Sequence, residues 1–297
     1  MWRGAGPVPD RCRTVNSSRR ATCGRHYPAG TCHRESLVFE LSNPVLLLIL
    51  CVIVGSTIAT GIVVGKRLRA RTGFNADSVG VAQGALLGLV GLLLAFGLSM
   101  AVSRYENRRV AVVAEANAIG TTYLRAQLLA EPERSASLDL LREYGDAAVA
   151  LASVVPDTDV YDADVSAIRL LQDELWAVAG DAVGAAPQDT APRLYIETLN
   201  EMIDAHGNRV ASLSNRVPST VVLVQVLGSA IALGVLALYL ELIGRGVTTS
   251  LLAGAFVVLI LYVSFDLDRP RRGFITVPNT ALVSARAAMD APPAVVP

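Results

Sequence analysis

The stretch Ser78–Ser103, SVGVAQGALLGLVGLLLAFGLSMAVS, runs for 26 residues without a single charged side chain. A helix needs about 20 predominantly apolar residues to cross a ~30 Å hydrocarbon core, so this block is long enough to span a bilayer. Three more blocks share the property: Pro44–Gly65, Val217–Leu240 and Gly246–Phe265. Buried core helices of a soluble protein rarely come in such a set. The sequence therefore predicts an all-α, four-span membrane protein. Composition agrees, with 52% hydrophobic residues, 18% charged residues and a mean hydropathy of +0.45. The formal net charge is +0, from 26 Lys and Arg against 26 Asp and Glu, which speaks against a nucleic-acid partner recruited by a global basic field.

Proline spacing organises what lies between the spans. No proline occurs between Pro44 and Pro132, so the second span is expected to continue as one helix to about Ala130, far beyond what a bilayer needs. Helical segments are expected between Pro132 and Pro156, Pro156 and Pro187, and Pro192 and Pro218. Leu138, Leu141, Ala148 and Leu151 recur at helical spacing in the first, and Val165, Ile168, Leu171 and Leu175 in the second. Asp157, Thr158 and Asp159 are candidate caps for the second, Asp189 and Thr190 for the third. No strand pattern of useful length occurs. The chain divides into a tail at 1–40, spans one and two within 41–103, a helical domain at 104–216, spans three and four within 217–267, and a tail at 268–297.

The first tail is rich in Arg, Gly, Pro and Ser and is expected to be disordered. Its Cys12, Cys23 and Cys32, with His26 and His33, lack the spacing of a zinc knuckle or ribbon. The 104–216 segment carries 18 Asp and Glu against 10 Arg, a net charge of −8. Nine arginines lie near span ends on its side of the membrane, against five cations (Lys66, Arg67, Arg69, Arg71 and Arg245) on the other. This leans toward a cytoplasmic middle domain and cytoplasmic termini, although the dense Lys66–Arg71 cluster pulls the other way.

Four sets of residues are candidates for function. In the second span Gly80, Gly84, Gly88, Gly91, Ala95 and Ser99 follow one another at three- and four-residue steps, a small-residue stripe that suits close helix packing or a pore face. In the stalk before span three, Ile196, Leu199, Ile203, His206, Val210, Leu213 and Val217 form a heptad seam. Val110, Val113, Asn117, Leu124 and Leu128 trace a similar seam after span two. Asn117 and His206 fall at nearly the same height, so they are expected to share one interior, as a register-fixing core pair or as a polar ring along an axial pathway. Arg104, Arg108, Arg109 and Arg216 stand closest to the bilayer and are candidates for charge selectivity. Asp266 and Asp268, followed by Arg269, Arg271 and Arg272, read as a helix-end salt-bridge cluster rather than a cation site. No span holds an Asp, Glu, His, Lys or Arg, which opposes a proton relay. No zincin, nucleophile-elbow, Walker or Rossmann pattern occurs. The reading is therefore a non-enzyme without cofactor or metal, whose partners are the bilayer, other copies of itself and ions.

Three strings together, SRYENRRVAVVAEANAIGTTYLRAQLL at Ser103–Leu129, LNEMIDAHGNRVASLSNRVP at Leu199–Pro218 and DLDRPRRGFITV at Asp266–Val277, resemble the bacterial bestrophin-like domain family. The resemblance covers roughly residues 40–285. The positions it carries across are Asn117, Asn200, Glu201, Asp204, His206, Arg209 and the Asp266–Arg271 string. It implies four spans with a helical domain between the second and third, and through the bestrophins proper an oligomeric ion channel whose second span lines the pore. The calcium clasp of eukaryotic bestrophins is acidic, whereas here two acids stand among arginines. A non-conducting scaffold with a partner-recruiting acidic domain, and a component of a proton-driven stator, are the competing readings.

Overall fold

The computed structural model describes residues 42–70, 76–244 and 246–291. The expectation of a disordered tail over 1–40 lies outside them, as do Arg71 and Arg245 of the charge comparison. Eight helices follow in order among the described residues, with no strand: α1 (Asn43–Arg69), α2 (Ala76–Ala126), α3 (Glu133–Leu151), α4 (Asp159–Ala185), α5 (Thr190–Ser214), α6 (Ser219–Leu242), α7 (Gly246–Leu267) and α8 (Thr280–Ala288). Four of them, α1, α2, α6 and α7, carry windows long and apolar enough to cross a membrane. Thr158 caps α4 as expected, its hydroxyl oxygen accepting from the Tyr161 amide, whereas Asp189 precedes α5 without a side-chain cap. The stalk of α2 ends at Ala126, earlier than the expected Ala130.

Two separate apolar cores hold the chain together. The first gathers Leu46, Leu50, Val54 and Ile58 of α1, Val90 and Leu94 of α2, Leu233, Leu236 and Ala237 of α6, and Val258, Leu261 and Phe265 of α7. Helices α1 and α6 run in the same direction and touch backbone to backbone. A Cβ at Gly61 would collide with the carbonyl oxygen of Gly234, and one at Gly65 would lie 2.8 Å from Glu241 Cβ. Between apolar helices in lipid, such contact supplies dispersion attraction in place of the hydrophobic effect, which only water provides.

The second core joins the stalk of α2 to α3, α4, α5 and α8 through Val112, Ile119 and Tyr123, Leu141 and Tyr144, Ile168 and Leu175, Leu199 and Met202, and Leu282. Helix α2 is common to both cores. Its 51 residues extend ~77 Å at 1.5 Å per residue. Helix α8 lies in what reads from sequence as a featureless tail. Tyr123 donates from its hydroxyl to Met289 O at 2.8 Å and Arg286 pairs with Asp146, which ties this helix back onto α2 and α3.

Candidate functional site

The strings that carry the family resemblance meet where the helices leave the apolar core. Arg108 on α2 is 2% exposed, although it is an arginine. Its Nη1 donates to Leu267 O at 3.0 Å, its Nη2 to Asn215 O at 3.0 Å, and its Nε to Ser212 O at 3.3 Å. Asp268 Oδ1 lies 3.7 Å from the same guanidinium. These carbonyls belong to the end of α5, the α5–α6 connection and the end of α7, where helix termini leave acceptors without intrahelical donors. One side chain satisfies them, because only Arg presents five donors in a planar fork.

The Asp266–Arg271 string completes this junction. Asp268 Oδ2 accepts from the Val217 amide at 2.9 Å, just before α6. Asp266 accepts from the amides of Phe274 and Ile275 at 3.0 and 2.9 Å, folding the following loop back on α7. Gly273 is required there, since a Cβ would lie 2.8 Å from the Asp266 carboxyl. Arg269 Nη1 donates to Asn43 Oδ1 at 3.1 Å, at the start of α1. Arg271 takes a left-handed φ of 65° and is half-buried; burial and the neighbouring Arg209 push its guanidinium below its usual value.

Farther along the stalks a buried triad joins α2 to α5. Glu115 is fully buried, and its Oε1 lies 2.9 Å from His206 Nδ1. A carboxylate only accepts, so this contact assigns the proton to Nδ1. Arg209, 2% exposed, pairs with the same carboxylate, and the Tyr144 ring stands edge-on to His206 with centroids 6.3 Å apart. Burial, and then the Glu115 charge, push the Tyr144 phenol well above its usual value. Glu115 stands ~18 Å beyond Ser103 along α2, and His206 ~12 Å before Ser214, the last residue of α5.

Within the single chain the other candidate residues take the following places. His206 is interior, but its partner is Glu115; Asn117 is exposed on the chain, and the two do not meet within it. The seam of Val110, Val113, Leu124 and Leu128 faces outward, with 63%, 42%, 56% and 48% of these residues exposed. The face of α2 that packs inward carries Arg108, Val112, Glu115, Ile119, Thr122 and Ala126, also at heptad steps. A hydrophobicity count passes over it because half of it is polar. Of the selectivity candidates, Arg108 is buried in the junction, Arg104 reaches Asn215, Arg216 pairs with Asp157, and Arg109 is exposed beside Glu106. Asn200, Glu201 and Asp204 lie on the surface of α5, with Asn200 donating to Asp204 at 3.4 Å.

The small-residue stripe is bare. Gly84, Gly88 and Gly91 have open space where a Cβ would stand, and Ala95 and Ser99 are exposed; Gly80 alone meets a neighbour, the Tyr239 ring. Gln83 is buried, and Gln225 donates to Leu93 O at 3.1 Å.

The four apolar helices and the charged junction at their ends define a multi-span helical membrane protein. The chain belongs to the Bestrophin-like domain family, whose model matches residues 45–282. No curated protein matches the sequence. Two solved structures share the fold. One is a crystal structure of a mutant bacterial bestrophin homologue from Klebsiella pneumoniae, with a TM-score of 0.57 at 14% identity over 81% of this chain and 97% of that one. The other is a crystal structure of a mutant membrane protein, with a TM-score of 0.57 at 15% identity over 83% of this chain and 97% of that one.

Proposed function

We propose that the chain assembles with copies of itself around an axis bordered by α2, and that the assembly conducts ions across the membrane. One observation carries the reading. The outer face of α2 runs bare from Gly84 through Ser99 to Val113 and Leu124, with small residues in the apolar half and exposed aliphatic residues in the stalk half. An apolar seam on a stalk outside the bilayer calls for a partner, and glycines in lipid favour close approach to a helix or an axis over acyl chains. The family resemblance to channels points the same way. In this reading residues 104–216 form an extramembrane domain, on the cytoplasmic side by the arginine count.

The stripe itself holds no charge, and Arg104, Arg108 and Arg216 are engaged elsewhere. Selectivity along such a path therefore falls to the exposed Arg109 and the acidic stalk domain. The test is mass measurement of purified protein followed by bilayer recording. A closed oligomer that carries current is expected, with a reversal potential under a salt gradient that shifts in Arg109→Gln. An intact oligomer that stays silent across pH, voltage and divalent ions would replace the channel by a non-conducting scaffold.

A further inference from the structure

Three arginines line one small cavity where the stalks meet the loop after α7. Arg108 comes from α2, Arg209 from α5 and Arg271 from the loop, and Val112, Leu151 and Leu213 form apolar wall beside them. Arg108 and Arg209 are buried and have carboxylates, Asp268 for the first and Glu115 for the second. Arg271 is half-buried and has no carboxylate among the described residues; the charge that acts on it is that of Arg209. Three guanidiniums thus stand against two carboxylates, an excess of one positive charge where burial makes an unpaired charge costly. Donors are left over as well. Arg209 spends Nε and Nη2 on Glu115, and its Nη1 has no acceptor among the described residues. The loop presents Arg271 from a left-handed φ of 65°, a backbone conformation uncommon for a residue with a side chain.

We propose that this cavity binds one small monovalent anion, of chloride or bromide size, held by Arg209 and Arg271. Its charge cancels the excess, and it accepts from guanidinium donors that no carboxylate reaches. A water would serve those donors but leave the charge uncancelled. The space is about 20 Å³, and a single water needs about 10–15 Å³. That admits one monatomic guest and turns away sulfate, phosphate and carboxylates. Arg108 and Val112 place the cavity on the inner face of α2, opposite the bare face that borders the proposed axis. The site is therefore separate from any path through the assembly, and its occupant ties α2, α5 and the loop together.

The test is thermal unfolding of purified full-length protein in chloride, bromide, gluconate and sulfate at one ionic strength. Crystals grown in bromide supply anomalous scattering. Chloride and bromide should raise the apparent Tm by about 2–4 °C over gluconate, saturating with concentration. A bromide peak should lie between Arg209 and Arg271. Arg271→Gln should abolish the halide response, and in gluconate it should match or exceed the parent, because the like charge beside Arg209 is gone. Should that variant fail to fold, Ala152→Val, which fills the cavity from its wall, should abolish the response and the peak. An Arg271→Gln chain less stable by the same amount in every salt would make Arg271 merely structural and overturn the proposal. So would equal stability of the parent in chloride and gluconate, or sulfate matching chloride, which would mean general salt action. A bromide peak without stabilisation would be an adventitious ion only, and a water in place of bromide would leave no anion site; either result overturns the proposal.

Discussion

The two faces of α2 differ in the opposite sense from the one hydrophobicity suggests. The inner face carries Arg108, Glu115 and Thr122 at 2%, 0% and 0% exposure, each with partners, while the outer face carries bare valines and leucines. Thr122 shows how the inner face works, since its hydroxyl donates to Thr198 O at 3.0 Å and links the two stalks. A buried polar group is tolerated when its partners are built in, and it then specifies one register between helices. An exposed apolar seam has no such account within one chain and points to other chains.

The largest expected effect lies on the inner face. Arg108→Ala leaves three carbonyls and Asp268 without their cation, at about 1–3 kcal/mol for each unsatisfied group. The folded protein should be lost, seen as failure to purify as a monodisperse species. Glu115→Gln should cost about 3–5 kcal/mol, because Arg209 stays buried without its counter-charge. The double change Glu115→Leu with Arg209→Met should recover much of that loss in thermal unfolding, since it removes both charges together. A double variant no more stable than the single one would mean that the triad matters for something other than charge balance.

The outer face should behave differently. Val110→Gln with Leu124→Gln should leave the unfolding temperature of the separated chain within a few degrees, because surface substitutions away from special features fall within about 0.5 kcal/mol. The same pair should lower the oligomer mass. Loss of fold without loss of assembly would reverse the assignment of the two faces. Asn117→Ala is the smallest expected change, within about 0.5 kcal/mol, because its side chain is exposed on the chain. A cost near that of Glu115→Gln, measured in the assembled protein, would restore Asn117 as an interior residue, buried between copies.

Much of the fold was legible in the sequence. Charge-free blocks mark helices long and apolar enough to cross lipid, because hydrocarbon offers backbone groups no partners and leaves few other solutions. Proline spacing marks the ends of α3, α4 and α5, because proline removes a donor and restricts the residue before it. The α5 seam was also legible, since Leu199 and His206 are buried and Ile196, Ile203, Val210 and Leu213 pack, partly buried, against the same core. The short α8 was not legible, because nine residues with one buried leucine carry too little periodicity to stand apart from a tail.

The site divides along the same line. Residue types and spacing alone mark the membrane class, and they single out the small-residue stripe and the Asp266 and Asp268 salt-bridge cluster as candidates. Partners separated by 91 to 160 positions, such as Glu115 with His206 and Arg108 with Asp268, came only from the folded chain. The physical reason is that a hydrophobic pattern reports which side chains avoid water. It does not report which polar ones have found each other, nor which apolar ones wait for another molecule.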